Sequence, residues 1–251
     1  MPKIIKNKLI EEFKDRGSFT KKELFDFYLQ YEPELKESTF AWRIYDLKSK
    51  NIIKSIKRGI YVICNKPLYS PAISNDILEL ANHINAFYYN VKYCIWDTSW
   101  LNEFSHHQTS KKVVIIEIIN ELTESFFYQL KNDKKYDIYL KPDEKAINYY
   151  ISESSNPVII KRLVTRSPVE KNRGIFIPTL EKILVDIYTD NKIFYYYQGP
   201  ELMNIYENAI KKYTLNFTTL FSYANRRERE NEVKAFMVNH MSKLVKEIID
   251  D

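Results

Sequence analysis

Residues 38–63 read STFAWRIYDLKSKNIIKSIKRGIYVI, and within this stretch the pattern changes from helical to β periodicity. Its first half predicts a helix over Thr39–Lys50 with Ser38 as the N-cap, because a serine side chain accepts hydrogen bonds from free backbone N–H groups at a helix start. At about 100° per residue, the apolar side chains of this helix share one face, which we expect to contact the core: Phe40, Ile44 and Leu47.

The second half of the stretch has the pattern of a hairpin. Ile52–Ile56 and Ile60–Ile63 are short β runs, and Gly59 between them can supply the positive φ that a tight turn requires. We therefore predict two antiparallel strands with basic side chains clustered near their tip: Lys54, Lys57 and Arg58.

The side of the predicted helix that faces away from the core carries a mixed set of residues: Thr39, Trp42, Asp46 and Ser49, with Arg43 and Tyr45 at the flanks. A tryptophan on a face that meets only water is unusual. Contact with a base edge, a thymine methyl group or a sugar would explain Trp42. The alternative is that Trp42 packs under the following domain.

Two further helices are predicted upstream. Lys3–Asp15 has an apolar stripe at helical spacing, and Gly17 follows it as a stop signal. The next helix begins at Thr20 and Glu23, which have the spacing of a capping box. Three helices followed by a basic hairpin are typical of a winged helix-turn-helix, in which the third helix enters the major groove and the hairpin reaches phosphates.

Positive charge is concentrated in the same part of the chain. Residues 1–66 hold 15 Lys and Arg against 9 Asp and Glu, a net charge of +6, whereas the remainder holds 23 against 24, a net charge of −1. A local excess of this kind is typical of a surface that binds a polyanion, most often nucleic acid. A solvated lysine-rich face is the alternative.

The composition excludes several classes of site. The four glycines of the 251-residue chain lie far apart, whereas dinucleotide-binding fingerprints and P-loops need clustered glycines. Cys64 and Cys94 are too few for a disulfide framework or a zinc cluster. No apolar run approaches the roughly 20 residues of a membrane span, and the start of the chain lacks the apolar segment of a signal peptide. We expect a cytoplasmic protein with no cofactor, no metal and no membrane partner.

The sequence pattern changes near Pro67–Pro71, where we place a domain boundary. Beyond it helical and strand patterns alternate, and the C-terminal part is predicted to be helical up to a last helix over Glu228–Ile249. The predicted fold class is α+β, with a winged helix-turn-helix over residues 1–66 and a mixed α/β domain over residues 67–251 that ends in a helical C-terminal segment.

Carboxylates in the second domain allow a different hypothesis. Asp97, Glu117 and Asp137 lie at or near predicted strand ends, where metal-dependent nucleases and nucleotidyltransferases place such groups. No strand carries two carboxylates separated by one residue, and no Gly-Ser precedes one. The strand-end carboxylates nevertheless leave an alternative function, a nuclease or nucleotidyltransferase that uses the winged helix to capture nucleic acid.

Two basic stretches of the second domain are each open to two interpretations. Lys161-Arg162 is consistent with an edge strand protected by positive charge or with a second phosphate contact. The helix around Arg226-Arg227 is consistent with a solvated face of i,i+4 ion pairs or with a surface that binds a partner or phosphate.

Three motifs resemble those of a known family. Lys57-Arg58-Gly59-Ile60-Tyr61 is similar to the arginine-glycine-aliphatic-tyrosine end of that family's wing. Residues 177–186, IPTLEKILVD, are similar to its proline-threonine, glutamate, leucine-valine-aspartate helix, although Ile183 stands where many members have arginine. Tyr223-Ala224-Asn225-Arg226-Arg227 is similar to a tyrosine-alanine and arginine segment downstream. On these motifs the chain resembles the AbiEi-type antitoxins of type IV toxin–antitoxin systems.

The resemblance implies a bacterial protein that binds inverted repeats upstream of its own operon and represses it. It also implies antitoxin activity, supported by the C-terminal domain, against a nucleotidyltransferase-like toxin encoded alongside. Direct toxin contact is not the general rule in that family, and none is predicted here. No enzyme activity and no cofactor is implied.

The resulting hypothesis is a sequence-specific DNA-binding autorepressor and antitoxin whose partner is a double-stranded operator. The predicted DNA-binding residues are Ser38, Thr39, Trp42, Arg43, Lys50, Lys54, Lys57 and Arg58. We expect Thr39, Trp42 and Arg43 to read the major groove and the later basic residues to hold phosphates. A winged helix that contacts protein instead is a further possibility.

Overall fold

The computed structural model describes residues 3–64, 66–88, 90–132, 134–241 and 245. The chain forms two compact units. Unit 1 contains the described residues up to Leu68, Lys212–Thr218 and the described residues from Lys234 on, and unit 2 contains Tyr69–Lys211 and Thr219–Val233. Unit 1 thus includes segments from both sides of residue 66, and the division into domains 1–66 and 67–251 stays a prediction.

The N-terminal part of unit 1 contains three helices and a small antiparallel sheet of strand order β1-β3-β2. The elements are α1 (Lys3–Phe13), β1 (Phe19–Thr20), α2 (Lys21–Leu29), α3 (Glu37–Ser49), β2 (Ile53–Lys57) and β3 (Ile60–Ile63). Strand β1 is absent from the sequence prediction because a run of two residues has no periodicity. It pairs with β3 through Phe19 opposite Tyr61 and Thr20 opposite Ile60.

The capping box predicted at the start of α2 is confirmed. The backbone N–H of Glu23 donates to Thr20 Oγ1 at 3.1 Å, and the backbone N–H of Thr20 donates to Glu23 Oε2 at 2.7 Å. The backbone N–H of Lys21 also donates to the carbonyl of Gly59 at 2.7 Å. The start of α2 is therefore fixed both by its own cap and by the turn of the hairpin.

Helix α3 begins earlier than predicted. It starts at Glu37, and its N-cap is Lys36, which makes no side-chain capping hydrogen bond. The prediction that Ser38 caps this helix is therefore wrong, because Ser38 already lies in the first turn. The predicted core face is confirmed, since Phe40, Ile44 and Leu47 are all buried.

Unit 2 is built on a four-stranded sheet of order β4-β5-β7-β6. Strands β4 and β5 are antiparallel, whereas β5 and β6 both run parallel to β7. A separate two-stranded hairpin is formed by β8 and β9. The strands are β4 (Tyr93–Asp97), β5 (Val114–Ile118), β6 (Asp137–Leu140), β7 (Pro157–Arg162), β8 (Val169–Asn172) and β9 (Ile175–Pro178).

The described chain beyond the β2–β3 hairpin also contains seven α-helices. They are α4 (Asn75–Phe87), α5 (Thr123–Leu130), α6 (Glu144–Ala146), α7 (Leu180–Thr189), α8 (Pro200–Lys212), α9 (Phe217–Arg226) and α10 (Glu230–His240). The chain thus mixes helices and strands and becomes helical towards its C-terminus, as predicted. Of the helix predicted up to Ile249, residues 242–244 and 246–249 lie outside the described residues.

Two elements form the centre of unit 2. Every residue of β5 is buried, and so are eight successive residues of α7, Leu180–Ile187. An apolar strand buried on both faces is typical of a sheet covered on both sides. Both elements bury charged residues together with apolar ones, Glu117 on β5 and three residues on α7: Glu181, Lys182 and Asp186.

No helix among the described residues has both the length and the hydropathy that a membrane crossing requires.

Candidate nucleic-acid interface

The exposed face of α3 carries two large aromatic side chains. Trp42 is 72% exposed and Tyr45 is 65% exposed. Their ring centroids lie 5.8 Å apart with an interplanar angle of 81°, an edge-to-face arrangement. With Ala41 they line an open depression on the helix. Trp42 is therefore a surface residue and takes no part in a core.

Thr39 and Ser38 lie on the first turn of the same helix, and both are exposed. Thr39 also borders a shallow depression formed by the segment between α2 and α3, Glu32–Lys36. Both residues therefore lie on the outer surface at the N-terminal end of α3. This places the predicted contact residues Ser38, Thr39 and Trp42 within one and a half turns of each other.

Arg43 does not share this open surface. Its Nη2 atom donates to both carboxylate oxygens of Glu32, at 3.1 and 3.0 Å, and both side chains are largely shielded from solvent. Glu32 lies in the connection between α2 and α3. The ion pair therefore anchors α3 to that connection, and Arg43 would have to leave Glu32 to reach a base.

Lys50 is also paired. Its Nζ atom lies 2.6 Å from Asp46 Oδ1, one turn earlier in the chain, and the hydrogen bond from Lys50 lowers the pKa of Asp46. This pair is exposed, so it is weak and can exchange for another anion. Lys50 is therefore accessible to a phosphate in a way that Arg43 is not.

The hairpin of β2 and β3 follows α3 directly in the chain and carries three basic residues. Gly59 adopts a φ of +80°, which confirms the predicted turn, and Arg58 beside it is exposed. Lys54 and Lys57 are half-buried on the strand β2. A β-bulge between Ser55 and Lys57 shifts the register, so that Lys57 lies opposite Ile60. The basic side chains Lys54, Lys57 and Arg58 thus belong to one hairpin, as predicted.

The strand-end carboxylates of unit 2 do not form a common site. Asp97 accepts a hydrogen bond from the backbone N–H of Ser99 at 2.8 Å, and Asp137 accepts one from the Ser154 hydroxyl at 2.5 Å. Glu117 accepts one from Lys182 at 2.8 Å. Within the described residues, no group of three or more His, Cys, Asp and Glu side chains is arranged to hold a metal ion.

Unit 2 contains instead a buried ion network that the sequence did not predict. Lys182 on α7 is fully buried and donates to Glu117 on β5 and to Asp186, one turn further along α7. The hydroxyl of Tyr223 donates to Asp186 at 2.8 Å and lies 3.2 Å from Lys182 Nζ. This centre therefore connects the sheet, α7 and α9.

The network continues towards the surface through Asp190. Arg227 donates to Asp186 and to Asp190, each at 2.6 Å. Lys161 lies 2.5 Å from Asp190 and 3.4 Å from Glu117. Three cations thus face three carboxylates. Such balance satisfies the buried charges within the protein.

The titration of Asp186 reflects these partners. Burial alone raises its pKa, but the positive charges of Lys182, Lys161 and Arg227 outweigh burial and lower the pKa to about 2. Burial likewise opposes the charged form of Lys182, and Asp186 and Glu117 outweigh it, so that the pKa of Lys182 lies well above its ordinary value. Asp186 and Lys182 are therefore both charged at neutral pH.

Two sequence interpretations are corrected by this network. Strand β7 lies between β5 and β6, so Lys161 is not on an edge strand, and its ammonium group points into the network rather than to phosphate. Arg227 belongs to the same network and not to a solvated face, although Arg226 is exposed. The sequence of α7 does contain a feature that indicates such a network. Its segment LEKILVDI has charged residues among otherwise apolar ones, and charges that are buried in this way need partners.

Residues 39–243 match a protein family described as "Family of unknown function (DUF6577)". The chain belongs to the DUF6577 family. The match begins within α3 and includes the hairpin β2–β3 and every member of the ion network. The DUF6577 region therefore contains both the exposed aromatic face and the buried charges, while α1 and α2 precede it. A comparison with curated proteins gives no match.

Proposed function

We propose that helices α1–α3 and strands β1–β3 form a winged helix-turn-helix that binds double-stranded DNA. In this proposal α3 lies in the major groove and the β2–β3 hairpin lies against the adjacent backbone. One observation carries the proposal: α3 turns Phe40, Ile44 and Leu47 inwards and exposes Trp42 and Tyr45, and a basic hairpin follows it in the chain.

Electrostatics supports the same partner. The net charge of +6 over residues 1–66 lies in the part of the chain that holds α3 and the hairpin. Since duplex DNA carries one negative charge for about 1.7 Å of helix axis, a basic surface gains affinity by releasing counterions from it.

The residues take different roles in the proposal. Thr39 and Trp42 contact base edges, Ser38 contacts the backbone at the start of α3, and a further set holds phosphates: Lys50, Lys54, Lys57 and Arg58. Arg43 keeps α3 in place through Glu32, and its predicted base contact requires that this ion pair opens on DNA.

We further propose that the protein represses its own operon and acts as an antitoxin against a nucleotidyltransferase-like toxin. This step rests on the resemblance to AbiEi-type antitoxins in the hairpin and in the α7 and α9 segments. In this protein the α7 and α9 motifs meet in the ion network, because Asp186 belongs to the first motif and Tyr223 and Arg227 to the second. We assign that network a stabilising role in the antitoxin fold.

The DNA-binding step is tested by titrating the full chain with the duplex upstream of its own gene and with a scrambled duplex, at several salt concentrations. We expect the upstream duplex to bind at least about a thousandfold more tightly. Arg58→Ala should weaken both duplexes similarly and reduce the salt slope by about one. Lys192→Ala, at an exposed lysine of unit 2, is the matched control and should change neither value.

Equal and steeply salt-dependent binding to both duplexes would contradict sequence-specific regulation. The antitoxin step is tested separately by co-expression with the neighbouring gene. We expect the wild-type chain to restore growth that the neighbour arrests. Failure to restore growth despite specific DNA binding would leave a repressor without antitoxin activity.

A further inference from the structure

Helix α3 offers few groups that read bases through hydrogen bonds. Its residues Glu37–Ser49 contain no Asn and no Gln, the usual partners of adenine, and one Arg, the usual partner of guanine. That residue, Arg43, gives its Nη2 donor to both oxygens of Glu32. Lys48 lies near the ring of Tyr61, 5.9 Å from its centroid. The exposed face of α3 therefore has few side chains that could identify a base pair through hydrogen bonds.

The side chains that α3 exposes on its outer face are largely apolar. The rings of Trp42 and Tyr45 are in edge-to-face contact and line an open depression together with the exposed Ala41. Thr39, which is also exposed, lies on the first turn of the same helix. In the major groove, one base presents an apolar group of its own, the C5-methyl of thymine. Apolar side chains of this kind are its complement.

Resting on the function proposed above, we infer that α3 reads thymine methyl groups, with Trp42 and Tyr45 as the residues that determine specificity. The partner is duplex DNA with thymines at the positions that face α3. The basic hairpin supplies affinity for any duplex, while the aromatic pair distinguishes thymine from the other bases. Removing the methyl groups should then lower affinity without changing the phosphate contacts.

The test begins with the tightest duplex that the full chain selects from a random-sequence library. This duplex is prepared in two forms, with thymidine and with 2′-deoxyuridine, which lacks the C5-methyl and keeps the same hydrogen-bonding groups. We expect wild-type protein to bind the thymidine form about tenfold more tightly, since burial of two methyl groups has about this effect.

Variants of α3 separate the methyl contact from other effects of deoxyuridine on the duplex. Trp42→Ala should bind the two forms within about twofold of each other, and Tyr45→Ala should reduce the difference. Trp42→Phe, which keeps an aromatic ring, should retain part of it. Both positions are exposed, so these variants should fold, and circular dichroism checks that they do.

Each outcome has a distinct meaning. If no duplex is retained at micromolar protein, the proposed function fails, and the inference fails with it. If a duplex is selected but wild-type protein binds both forms equally, the DNA-binding function stands and thymine recognition is wrong. If the difference persists unchanged in Trp42→Ala and Tyr45→Ala, the methyl groups are read elsewhere and the assignment to α3 is overturned.

Discussion

The α3–hairpin region of unit 1 and the buried ion network of unit 2 use charged and aromatic residues in opposite ways. On α3 and the hairpin of unit 1, Trp42 is exposed and Arg58 faces solvent. In unit 2, Lys182 and Asp186 are fully buried, and Tyr223 is buried beside them. The first arrangement leaves groups accessible to a partner, and the second satisfies them internally. A basic stretch in a sequence therefore indicates a binding surface only where its side chains are not held by buried counter-charges.

The largest effect should come from removing a cation of the network. Lys182→Met leaves Glu117 and Asp186 buried without their shared ammonium group, and we expect it to lower the free energy of unfolding by about 3–5 kcal/mol. Urea titration followed by fluorescence of the buried Trp96 and Trp100 measures this, in a Trp42→Phe background that removes the third tryptophan.

The matched control is Lys192→Met. Lys192 pairs with Glu144 at 2.9 Å, but both side chains are about two-thirds exposed, and such a pair contributes about 0–1 kcal/mol. Equal losses for the two lysine variants would break the comparison between buried and exposed charge.

The second prediction concerns acid stability. The pKa of Asp186 is lowered to about 2, and that of Asp190 is lowered too, because the nearby cations outweigh the effect of burial. A carboxyl group whose pKa is lower in the folded state stabilises the fold above its ordinary pKa and loses this contribution as the pH falls. We therefore expect unit 2 to lose about 2 kcal/mol between about pH 4 and pH 2.

Tryptophan fluorescence in the same Trp42→Phe background follows this loss during acid titration at constant salt. Asp186→Asn should unfold more easily at neutral pH and show a shallower acid dependence, since its titrating group is gone. An unchanged acid dependence in that variant would assign the effect to other carboxylates.

The third prediction compares two hydroxyls at helix starts in unit 1. Thr20→Ala removes half of a complete capping box and should cost about 1 kcal/mol of stability. Ser38→Ala should be close to neutral, because Ser38 lies in the first turn of α3 and Lys36 is the N-cap. Thermal unfolding of both variants checks the pair. A larger loss for Ser38→Ala would mean that its hydroxyl holds α3 in place.

The smallest change in the free energy of unfolding is expected for Trp42→Ala, the substitution that we expect to affect DNA recognition most. Trp42→Ala removes a side chain that is 72% exposed and should change the free energy of unfolding by less than about 0.5 kcal/mol. Urea titration of this variant, followed by circular dichroism, gives the value. A loss of several kcal/mol would show that Trp42 serves the fold, and would weaken its assignment to DNA.

Local features of unit 1 were predictable from the sequence. The capping box of Thr20 and Glu23, the core face of α3 and the turn at Gly59 each depend on residues within a few positions of each other. The start of α3 was predicted two residues too late, because Ser38 is a good N-cap by type while Lys36 takes the position. The type of a residue makes it a good N-cap but does not determine at which residue the helix begins.

The ion network was not predictable in the same way. Its members come from positions as far apart as Glu117 and Arg227, and helical or strand periodicity does not tell which buried charges meet. The place of β7 inside the sheet, which buries Lys161, depends likewise on the order of the strands. The exposure of Trp42 on α3, in contrast, was predictable from the sequence, since it follows from helical geometry alone.

The order of segments along the chain has a consequence for synthesis on the ribosome. Unit 1 includes Thr214, whose backbone N–H donates to the carbonyl of Pro67 at 3.3 Å, and the network of unit 2 includes Arg227. Both units therefore gain some of their internal contacts only when most of the chain has been translated. A product that ends before Arg227 would carry Asp186 without its guanidinium partner, and we expect cellular proteases to remove such products quickly.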